Sequence, residues 1–463
     1  MARDTAIARA QGLFDSGRFR ADLARRVAFR TESQVPDSRP QLGAYLEQEI
    51  APAFRAMGYG VEILPNPVAD AGPYLIATRR EGDGLPTVLS YGHGDVIRGL
   101  EGQWRAGLDP WTLTVEGDRW YGRGTADNKA QHLINMLALE QVLAARGRLG
   151  FNSVFMVETS EEVGSPGLDG FCAANRDRLR ADLLIGSDGP RLQPGRPTIF
   201  GGTRGALNFD MTVALRAGGH HSGNWGGLLA NPGVILAHAI ASIVDARGRV
   251  LARDIVPRAI PNSVRDALAD CEVDGGEDGP EIDPWWGEPG LTAAEKVFAW
   301  NSFEVLAMRT GNPENPVNAV PPRASAHCQI RFTVDVPWRS FLPALRKHLD
   351  AHGFGMVQLS QSRQQVMSAT RLDPDHPAAR WAVASIERTT GQAPALLPNL
   401  GGSLPNECFT DTLGMPTLWV PHSYAGCSQH APNEHVLAPL MREGLAMMTG
   451  LFWDMGEAPP VLA

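Results

Sequence analysis

The chain alternates between stretches with helical hydrophobic spacing and short apolar runs typical of buried strands. Residues 6–30 and 42–57 carry the helical pattern, and the second stretch ends at Gly58, as glycine after a helix should. Three short apolar runs then predict strands, at 61–64, 74–77 and 87–91. Helices followed by strands are typical of an α/β layer architecture.

The alternation continues to the C-terminus, but the composition of the chain changes near residue 200. Outside the changed region, strands are predicted at 151–157, 182–186 and 417–420, and helices after Lys129, at 377–389 and at 437–452. Inside it, strands are predicted at 207–215, 304–309, 324–334 and 356–360, and helices at 234–244 and 337–352. We therefore predict an α/β catalytic domain over residues 1–200 and 372–463, with an α+β module inserted over 201–371. Residues 255–293, including the acidic run 274–279, are predicted as an irregular insertion.

Bulk composition limits the class of protein. The 463 residues are 43% hydrophobic and 20% charged, as in a globular protein, and the net charge of −9 suggests no face for nucleic acid. No run reaches the ~18 apolar residues of a membrane helix, and the N-terminus lacks an apolar signal core. The five cysteines are odd in number and show no CxxC pair, which favours reduced thiols and a cytoplasmic location.

Polar side chains follow the predicted strands where each strand ends. His93 and Asp95 come after the strand at 87–91, and if the chain is still extended they point to the same side. That pair suits a metal ligand, or a loop histidine capped by its neighbouring acid. Asp127 follows two glycines at a helix start, where it is either a ligand or an N-cap.

Two further predicted strands end in acidic residues. Glu161 and Glu162 follow the strand at 151–157, and Asp188 follows the strand at 182–186. Adjacent acids are common on surfaces, but here one could hold a metal while the other handles protons. In open α/β sheets ligands bind at the carboxyl ends of strands, so the repeated pattern indicates a site. His430, before the last helix, is a fifth candidate ligand.

Together these residues form a set of two imidazoles and three carboxylates: His93, Asp127, Glu162, Asp188 and His430. Such nitrogen and oxygen ligands suit zinc, manganese or cobalt. Five side chains are too many for one open zinc site, but they fit two metals about 3.5–4 Å apart that share a carboxylate. Glu161, beside a ligand, is placed to act as the general base. Asp95 is predicted to accept a hydrogen bond from the far ring nitrogen of His93.

The motifs, taken together, resemble the M20 family of metallopeptidases, which includes carnosinase-like dipeptidases, carboxypeptidase G, aminoacylases and succinyl-diaminopimelate desuccinylase. The matching pieces are Gly92-His93-Gly94-Asp95-Val96, Tyr121-Gly122-Arg123-Gly124 with Asp127 and Lys129, Glu161-Glu162 with Gly164-Ser165, Asp188, His221-Ser222-Gly223, Gly401-Gly402-Ser403 with Pro405, and His430 with Glu434. They fall in the family's order and span nearly the whole chain.

The resemblance implies a role for each metal ligand. Asp127 matches the bridging aspartate, His93 and Asp188 would complete one metal site, and Glu162 and His430 would complete the other. Glu161 matches the general base. Two positions depart from the family pattern without being ligands: Asn128 replaces an aspartate and Ala130 replaces a glycine. The peptide bond between Asp127 and Asn128 is cis in the family.

The resemblance also gives the inserted module a function, as a lid that makes the dimer contact. His221 matches a lid histidine that reaches into the other subunit's active site and stabilises the oxyanion. Arg331 matches an arginine that grips a substrate carboxylate, a task suited to its bidentate fork. Asn318, Gly402 and Ser403 match other substrate contacts.

These implications lead to a predicted activity. We expect a homodimeric hydrolase with two divalent metals, zinc with manganese or cobalt as alternatives, that cleaves an amide next to a free carboxylate. The lid is longer than the minimal lid of the family and, together with the Gly401–Pro405 loop, favours the carnosinase-like dipeptidase branch, with a dipeptide as substrate. The alternatives are an N-acyl-amino-acid deacylase or non-peptide amidase of the same family, and a metal-free scaffold protein.

Overall fold

The computed structural model describes residues 2–273, 280–362 and 366–461, so the acidic run at 274–279 lies outside the described residues. The α-helices are α1 (Arg3–Asp15), α2 (Arg18–Val27), α3 (Arg39–Tyr45), α4 (Ala51–Ala56), α5 (Lys129–Arg146), α6 (Leu168–Ala174), α7 (Arg176–Leu179), α8 (Ser222–Trp225), α9 (Pro232–Ile243), α10 (Asn262–Leu268), α11 (Ala293–Phe298), α12 (Phe341–Ala351), α13 (Pro377–Thr390) and α14 (Ala438–Glu457). A π-helical turn, Leu46–Ile50, joins α3 to α4.

The strands are β1 (Gly60–Leu64), β2 (Tyr74–Arg79), β3 (Thr87–His93), β4 (Thr114–Glu116), β5 (Arg119–Tyr121), β6 (Asn152–Glu158), β7 (Leu183–Gly186), β8 (Pro190–Arg191), β9 (Thr198–Phe200), β10 (Gly205–Ala214), β11 (His220–His221), β12 (Ser302–Thr310), β13 (Ala319–Val320), β14 (Arg323–Phe332), β15 (Gln358–Gln361), β16 (Ala395–Leu397), β17 (Thr417–Trp419), β18 (Ser423–Tyr424) and β19 (His435–Leu437). Most of these residues belong to two sheets.

The larger sheet has eight strands in the order β1-β2-β6-β3-β7-β17-β9-β16. It is mixed, because β3 runs parallel to β6 and β7, whereas β2 runs antiparallel to β6. Alternate residues of β3 enter different apolar clusters: Val88 packs on the side of α5 and α14, and Leu89 and Tyr91 pack on the other side. The central strands β3, β6 and β7 are therefore buried at every position, as strands covered on both faces are.

The second sheet has four antiparallel strands in the order β12-β14-β10-β15 and lies wholly between residues 201 and 371. Leu236 and Ala239 of α9 belong to the same apolar cluster as Phe209 of β10 and Ile330 of β14. The predicted fold class, a mixed sheet flanked by helices plus a separate α+β unit, is confirmed. The domain limits at 200/201 and 371/372 stay a prediction. We call residues 201–371 the inserted region.

The structure corrects two element predictions. The helix predicted over 6–30 is two helices, because Gly17 adopts a left-handed conformation with φ of 84° between α1 and α2. The stretch 255–293 is not irregular throughout, since α10 forms there and buries Val264 and Leu268. The hydrophobic pattern did not predict α10, because the helix is short and lies in a stretch rich in Gly and Pro.

Two findings concern the cysteines and the apolar character of the helices. All five cysteines are buried and free. Among the described residues, none of the helices combines the length and apolar character that crossing a bilayer requires.

Candidate metal centre and active site

The candidate ligands meet at one edge of the larger sheet because three neighbouring strands are parallel there. β3 ends at His93, β6 leads through a short turn to Glu162, and β7 leads to Asp188. Parallel strands present their carboxyl ends on the same edge. Asp127 precedes α5, and His430 lies in the loop before β19, with a left-handed φ of 59°.

These five residues, which we call the metal cluster, form two groups that share Asp127. In the first group, His93 Nε2 lies 2.8 Å from Asp127 Oδ1 and 3.7 Å from Asp188 Oδ2. In the second, His430 Nε2 lies 3.0 Å from Asp127 Oδ2 and 2.9 Å from Glu162 Oε2. Within each group, the candidate ligand atoms lie within 4.8 Å of one another. Asp127 thus offers one carboxylate oxygen to each group, which is the arrangement of a bridging ligand.

The electrostatics of the metal cluster fit divalent cations. Oδ2 of Asp188 is buried and has no hydrogen-bond partner among the described residues. Burial, with the charge of Asp127, raises the pKa of Asp188 to about 6 and that of Glu162 to about 7. Burial opposes the ionisation of Asp127 as well, but hydrogen bonds from His430 and His93 outweigh it and lower the pKa. Crowded carboxylates beside two imidazoles form a donor set that zinc, manganese or cobalt would stabilise.

Glu161 lies beside the metal cluster and lines the same cavity as Asp127, Asp188 and His430. Burial raises the pKa of Glu161 well above its usual value, and the charges of Glu162 and Asp188 add to the shift. A carboxylate with a raised pKa suits general acid–base work.

The ring of His93 contacts both the backbone and the carboxylate of Asp95. His93 Nδ1 lies 3.0 Å from the backbone oxygen of Asp95 and 3.5 Å from the nearer carboxylate oxygen, so the shorter contact is to the backbone. The Asp95 carboxylate also accepts hydrogen bonds from the backbone N–H groups of Glu161 and Glu162, each at 3.1 Å. The tautomer-fixing role of Asp95 stays a prediction.

Glu434 supports the Asp127 loop, a role that the sequence did not reveal. One of its carboxylate oxygens accepts hydrogen bonds from the backbone N–H groups of Ala126 (2.8 Å) and Asp127 (3.1 Å). The other accepts from the backbone N–H of Gly124 (3.0 Å) and from Arg123 Nη1 (2.7 Å). The only signal in the sequence was that Glu434 follows His430 in a family motif.

Two other features of this loop concern Asp127. The side-chain amide of Gln429 donates a hydrogen bond to Asp127 Oδ2. The peptide bond between Asp127 and Asn128 is cis. Asn128 donates to the backbone oxygen of Ser187 at 2.8 Å and belongs to neither metal-ligand group, so its departure from the family pattern leaves the cluster intact.

The predicted substrate-binding residues fall into two sets. Arg331 Nη1 donates to Ser403 Oγ at 2.9 Å, and Ser403 and Gly402 line the cavity that holds the metal cluster. His221 and Asn318 are exposed neighbours on the inserted region: the backbone N–H of Ser222 donates to Asn318 at 2.9 Å. Neither His221 nor Asn318 lines the cavity. A single chain therefore brings Arg331, Gly402 and Ser403 to the site but leaves His221 and Asn318 apart from it.

Comparison with known proteins identifies the family. The model of peptidase family M20/M25/M40 matches residues 89–454 of this chain. The chain belongs to this family. As an M20 peptidase it is a metal-dependent hydrolase, and the matched segment contains all five residues of the metal cluster.

Individual M20 relatives match the chain over different lengths. A cysteinylglycine-S-conjugate dipeptidase from Corynebacterium striatum is 26% identical over 359 residues, covering 75% of each chain. A β-Ala-His dipeptidase from Mus musculus is 32% identical over 254 residues. This match covers 51% of the chain and 50% of that relative, so the chain spans about half of the relative's length. Among solved structures, the di-peptidase Dug1p from Saccharomyces cerevisiae superposes with a TM-score of 0.77 at 19% identity, covering 99% of both chains.

Proposed function

We propose that this M20 hydrolase is a dipeptidase with two divalent metal ions at the metal cluster. The observation that carries the proposal is Asp127, whose two carboxylate oxygens face separate groups of candidate ligands. His93 and Asp188 would complete one metal site, and Glu162 and His430 the other. When bound, two such metals polarise the scissile carbonyl and acidify water. Zinc is the proposed metal, with manganese or cobalt as alternatives.

The residues around the metal cluster have distinct proposed tasks. The Glu161 carboxylate takes a proton from the attacking water and delivers it to the nitrogen of the leaving amine. Asp95 holds the backbone of Glu161 and Glu162 through its two hydrogen bonds and so acts as a positioning residue. Arg331, with Ser403, binds the free carboxylate of the substrate, since its Nη1 already bonds the hydroxyl at the cavity wall. Gly402 forms part of that wall.

The relatives' names favour a dipeptide over the other substrates of the family. The two relatives compared above are named as dipeptidases, acting on cysteinylglycine S-conjugates and on β-Ala-His. An N-acyl-amino-acid deacylase and a non-peptide amidase use the same chemistry and stay as the alternatives. The intact ligand set and Glu161 speak against an inactive scaffold.

We further propose a homodimer in which His221 of the partner subunit, with Asn318 of the partner subunit, completes the site. Both residues are exposed and lie apart from the metal cluster within one chain. Among the described residues, no strand pairs with the outer edge of β12 in the four-stranded sheet, and Val305, Leu306 and Met308 of β12 are 40–55% exposed. An exposed apolar edge strand is a ready surface for pairing with a second chain.

The proposal is tested by amine release from metal-stripped protein to which zinc, manganese or cobalt is added back. The panel contains Cys-Gly, β-Ala-His, Leu-Gly and their N-acetylated forms. We expect metal-dependent cleavage of the free dipeptides. Cleavage of only the acylated compounds would favour the deacylase, and no cleavage with any metal would contradict the dipeptidase proposal.

A further inference from the structure

The metal cluster opens into a cavity of about 440 Å³ that the metal chemistry does not fill. Asp127, Glu161, Asp188 and His430 form one end of this space, which we call the metal-side cavity. A substrate whose carbonyl lies at the metal cluster must therefore place one of its side chains in the remainder. The wall of the cavity then decides which side chains fit.

That wall is apolar. Its apolar side chains are Pro190, Leu192, Val273, Phe298, Leu397, Leu400, Leu404 and Ala425. Phe298 and Val273 come from the inserted region, and Leu397 belongs to β16 of the larger sheet, so both parts of the chain build the cavity. Gly401 and Gly402 complete the lining without side chains and leave its volume open.

The lining holds few charged groups, and most of their donors already have partners. Arg191 is 1% exposed; its Nη1 donates to Glu443 at 2.5 Å and its Nε donates to the backbone oxygen of Pro421 at 3.3 Å, whereas its Nη2 is buried without a hydrogen-bond partner among the described residues. The amide of Gln429 donates to Asp127. Among the described residues that line the cavity, no charged side chain outside the metal cluster, Glu161 and Arg191 is present. A basic substrate side chain would therefore lose water without gaining a partner from the apolar wall, and an acidic one would meet Arg191, whose charge Glu443 already balances.

A neighbouring cavity identifies which substrate residue enters the metal-side cavity. It measures about 270 Å³, and its lining includes Arg331, Gln329, Asn208, Val163 and Gly164. Ser403 lines both cavities, whereas Arg331 lines only the smaller one. If Arg331 binds the C-terminal carboxylate, the C-terminal residue lies in the smaller cavity. The N-terminal residue of the dipeptide then lies in the metal-side cavity.

We propose that the enzyme selects dipeptides whose N-terminal residue carries a large apolar side chain, such as Leu, Met or Phe, with Leu192 and Phe298 among the residues that set this preference. The inference rests on the proposed dipeptidase function and names its substrate class. Burying an apolar side chain in an apolar wall is favourable, and the gain grows with the area buried.

The test compares kcat/KM for X-Gly dipeptides with the metal-loaded full-length enzyme. X is Leu, Phe, Ala, Asp or Lys, and Gly-Leu reports on the opposite order. We expect Leu-Gly and Phe-Gly to exceed Ala-Gly by at least about 10-fold, with Asp-Gly and Lys-Gly no better than Ala-Gly. Equal rates across X, or a preference for Asp or Lys, would overturn the inference while leaving the dipeptidase function in place. A preference for Gly-Leu over Leu-Gly would overturn the assignment to the N-terminal residue.

A charge placed in the wall gives a second readout. Leu192→Lys should raise the ratio of Asp-Gly to Leu-Gly cleavage by about 10-fold or more, because the added ammonium, unlike Arg191, is not already paired with a carboxylate. The ratio within one preparation does not depend on how much of the variant is folded. Leu85→Lys, at a position 38% exposed and outside the cavity, is the matched control and should leave the ratio unchanged. An unchanged ratio in Leu192→Lys overturns the inference. Failure of the wild type to cleave any dipeptide overturns the proposed function itself.

Discussion

Glu161 and Glu162 are adjacent in sequence, but their carboxylates have different neighbours. Glu162 Oε2 lies 2.9 Å from His430 Nε2 and belongs to the second metal-ligand group. Glu161 belongs to neither group and lines the cavity instead. The short 3-10 turn Glu161–Val163 separates the two side chains, and Asp95 holds both backbone N–H groups.

The two residues should therefore respond differently to the same substitution. In Glu161→Gln we expect kcat to fall about 10²–10⁴-fold, because the amide cannot carry the proton, while both metals stay bound. Glu162→Gln, the matched control, should lose metal from one site. Metal content per chain and steady-state rates measure both effects. A fully active Glu161→Gln enzyme would refute its role as base.

Glu407 provides a separate test at the scale of one residue, away from the metal cluster. Its Oε2 is buried without a hydrogen-bond partner among the described residues, and burial raises its pKa from the usual 4.5 to about 7. Between these two values the folded protein holds a proton that the unfolded chain has released. The free energy of unfolding therefore falls as pH rises through this window, and the loss is complete above pH 7.

Glu407→Gln removes that loss. We expect the variant to be more stable than the wild type by about 2 kcal/mol at pH 8 and nearly equal to it at pH 4.5. Urea unfolding at the two pH values measures the difference. A wild-type advantage at pH 8 would mean that the ionised carboxylate has a favourable partner.

At the scale of the element, the loop between β5 and α5 is held by hydrogen bonds that converge on one carboxylate. Glu434 accepts hydrogen bonds from three backbone N–H groups and from Arg123, and both charged side chains are only 1% exposed. Removing one charge of a buried pair leaves the other without compensation. The Asp127 loop is therefore expected to depend on Glu434 for its shape.

Glu434→Gln should lower the free energy of unfolding of the metal-free protein by about 3–5 kcal/mol and weaken metal binding. Glu116→Gln is the control, since its pair with Arg105 is 45–51% exposed and should contribute at most about 1 kcal/mol. Chemical denaturation and metal titration measure the two effects. Equal stability of the two variants would contradict the supporting role of Glu434.

At the scale of the whole molecule, the inserted region leaves its outer strand uncovered. Leu306 and Met308 on β12 are 55% and 45% exposed, so this strand presents neighbouring apolar side chains at the surface. The proposed dimer covers them and brings His221 of the partner subunit to the metal cluster.

The double variant Leu306→Glu/Met308→Glu should be monomeric, because like charges would face each other across the interface. It should also lose activity, because His221 could no longer reach the active site of a second subunit. Leu85→Glu is the control: Leu85 is also exposed but lies just before β3 of the larger sheet, outside the inserted region, so this variant should stay dimeric and active. Sedimentation and steady-state rates measure both properties. If the wild type is an active monomer, the role of His221 across subunits is wrong.

The sequence determined the elements and the chemistry of the site. Hydrophobic period and glycine position predicted most of the long strands and helices, because each is a local property of the chain. The positions of acids and histidines at strand ends predicted the candidate ligands, since parallel strands bring those ends to one edge. The family motifs supplied the pairing of the ligands.

Only the tertiary structure decided the contacts that join distant segments. Asp95 bonds the backbone of Glu161 and Glu162, and Glu434 bonds the Asp127 loop, 307 residues away. The apolar wall likewise combines Leu192, Phe298 and Leu404, which no local pattern relates. Such contacts depend on how the chain turns after each strand and on how the inserted region packs against the larger sheet. Hydrophobic period carries no information about either, because it describes each element alone.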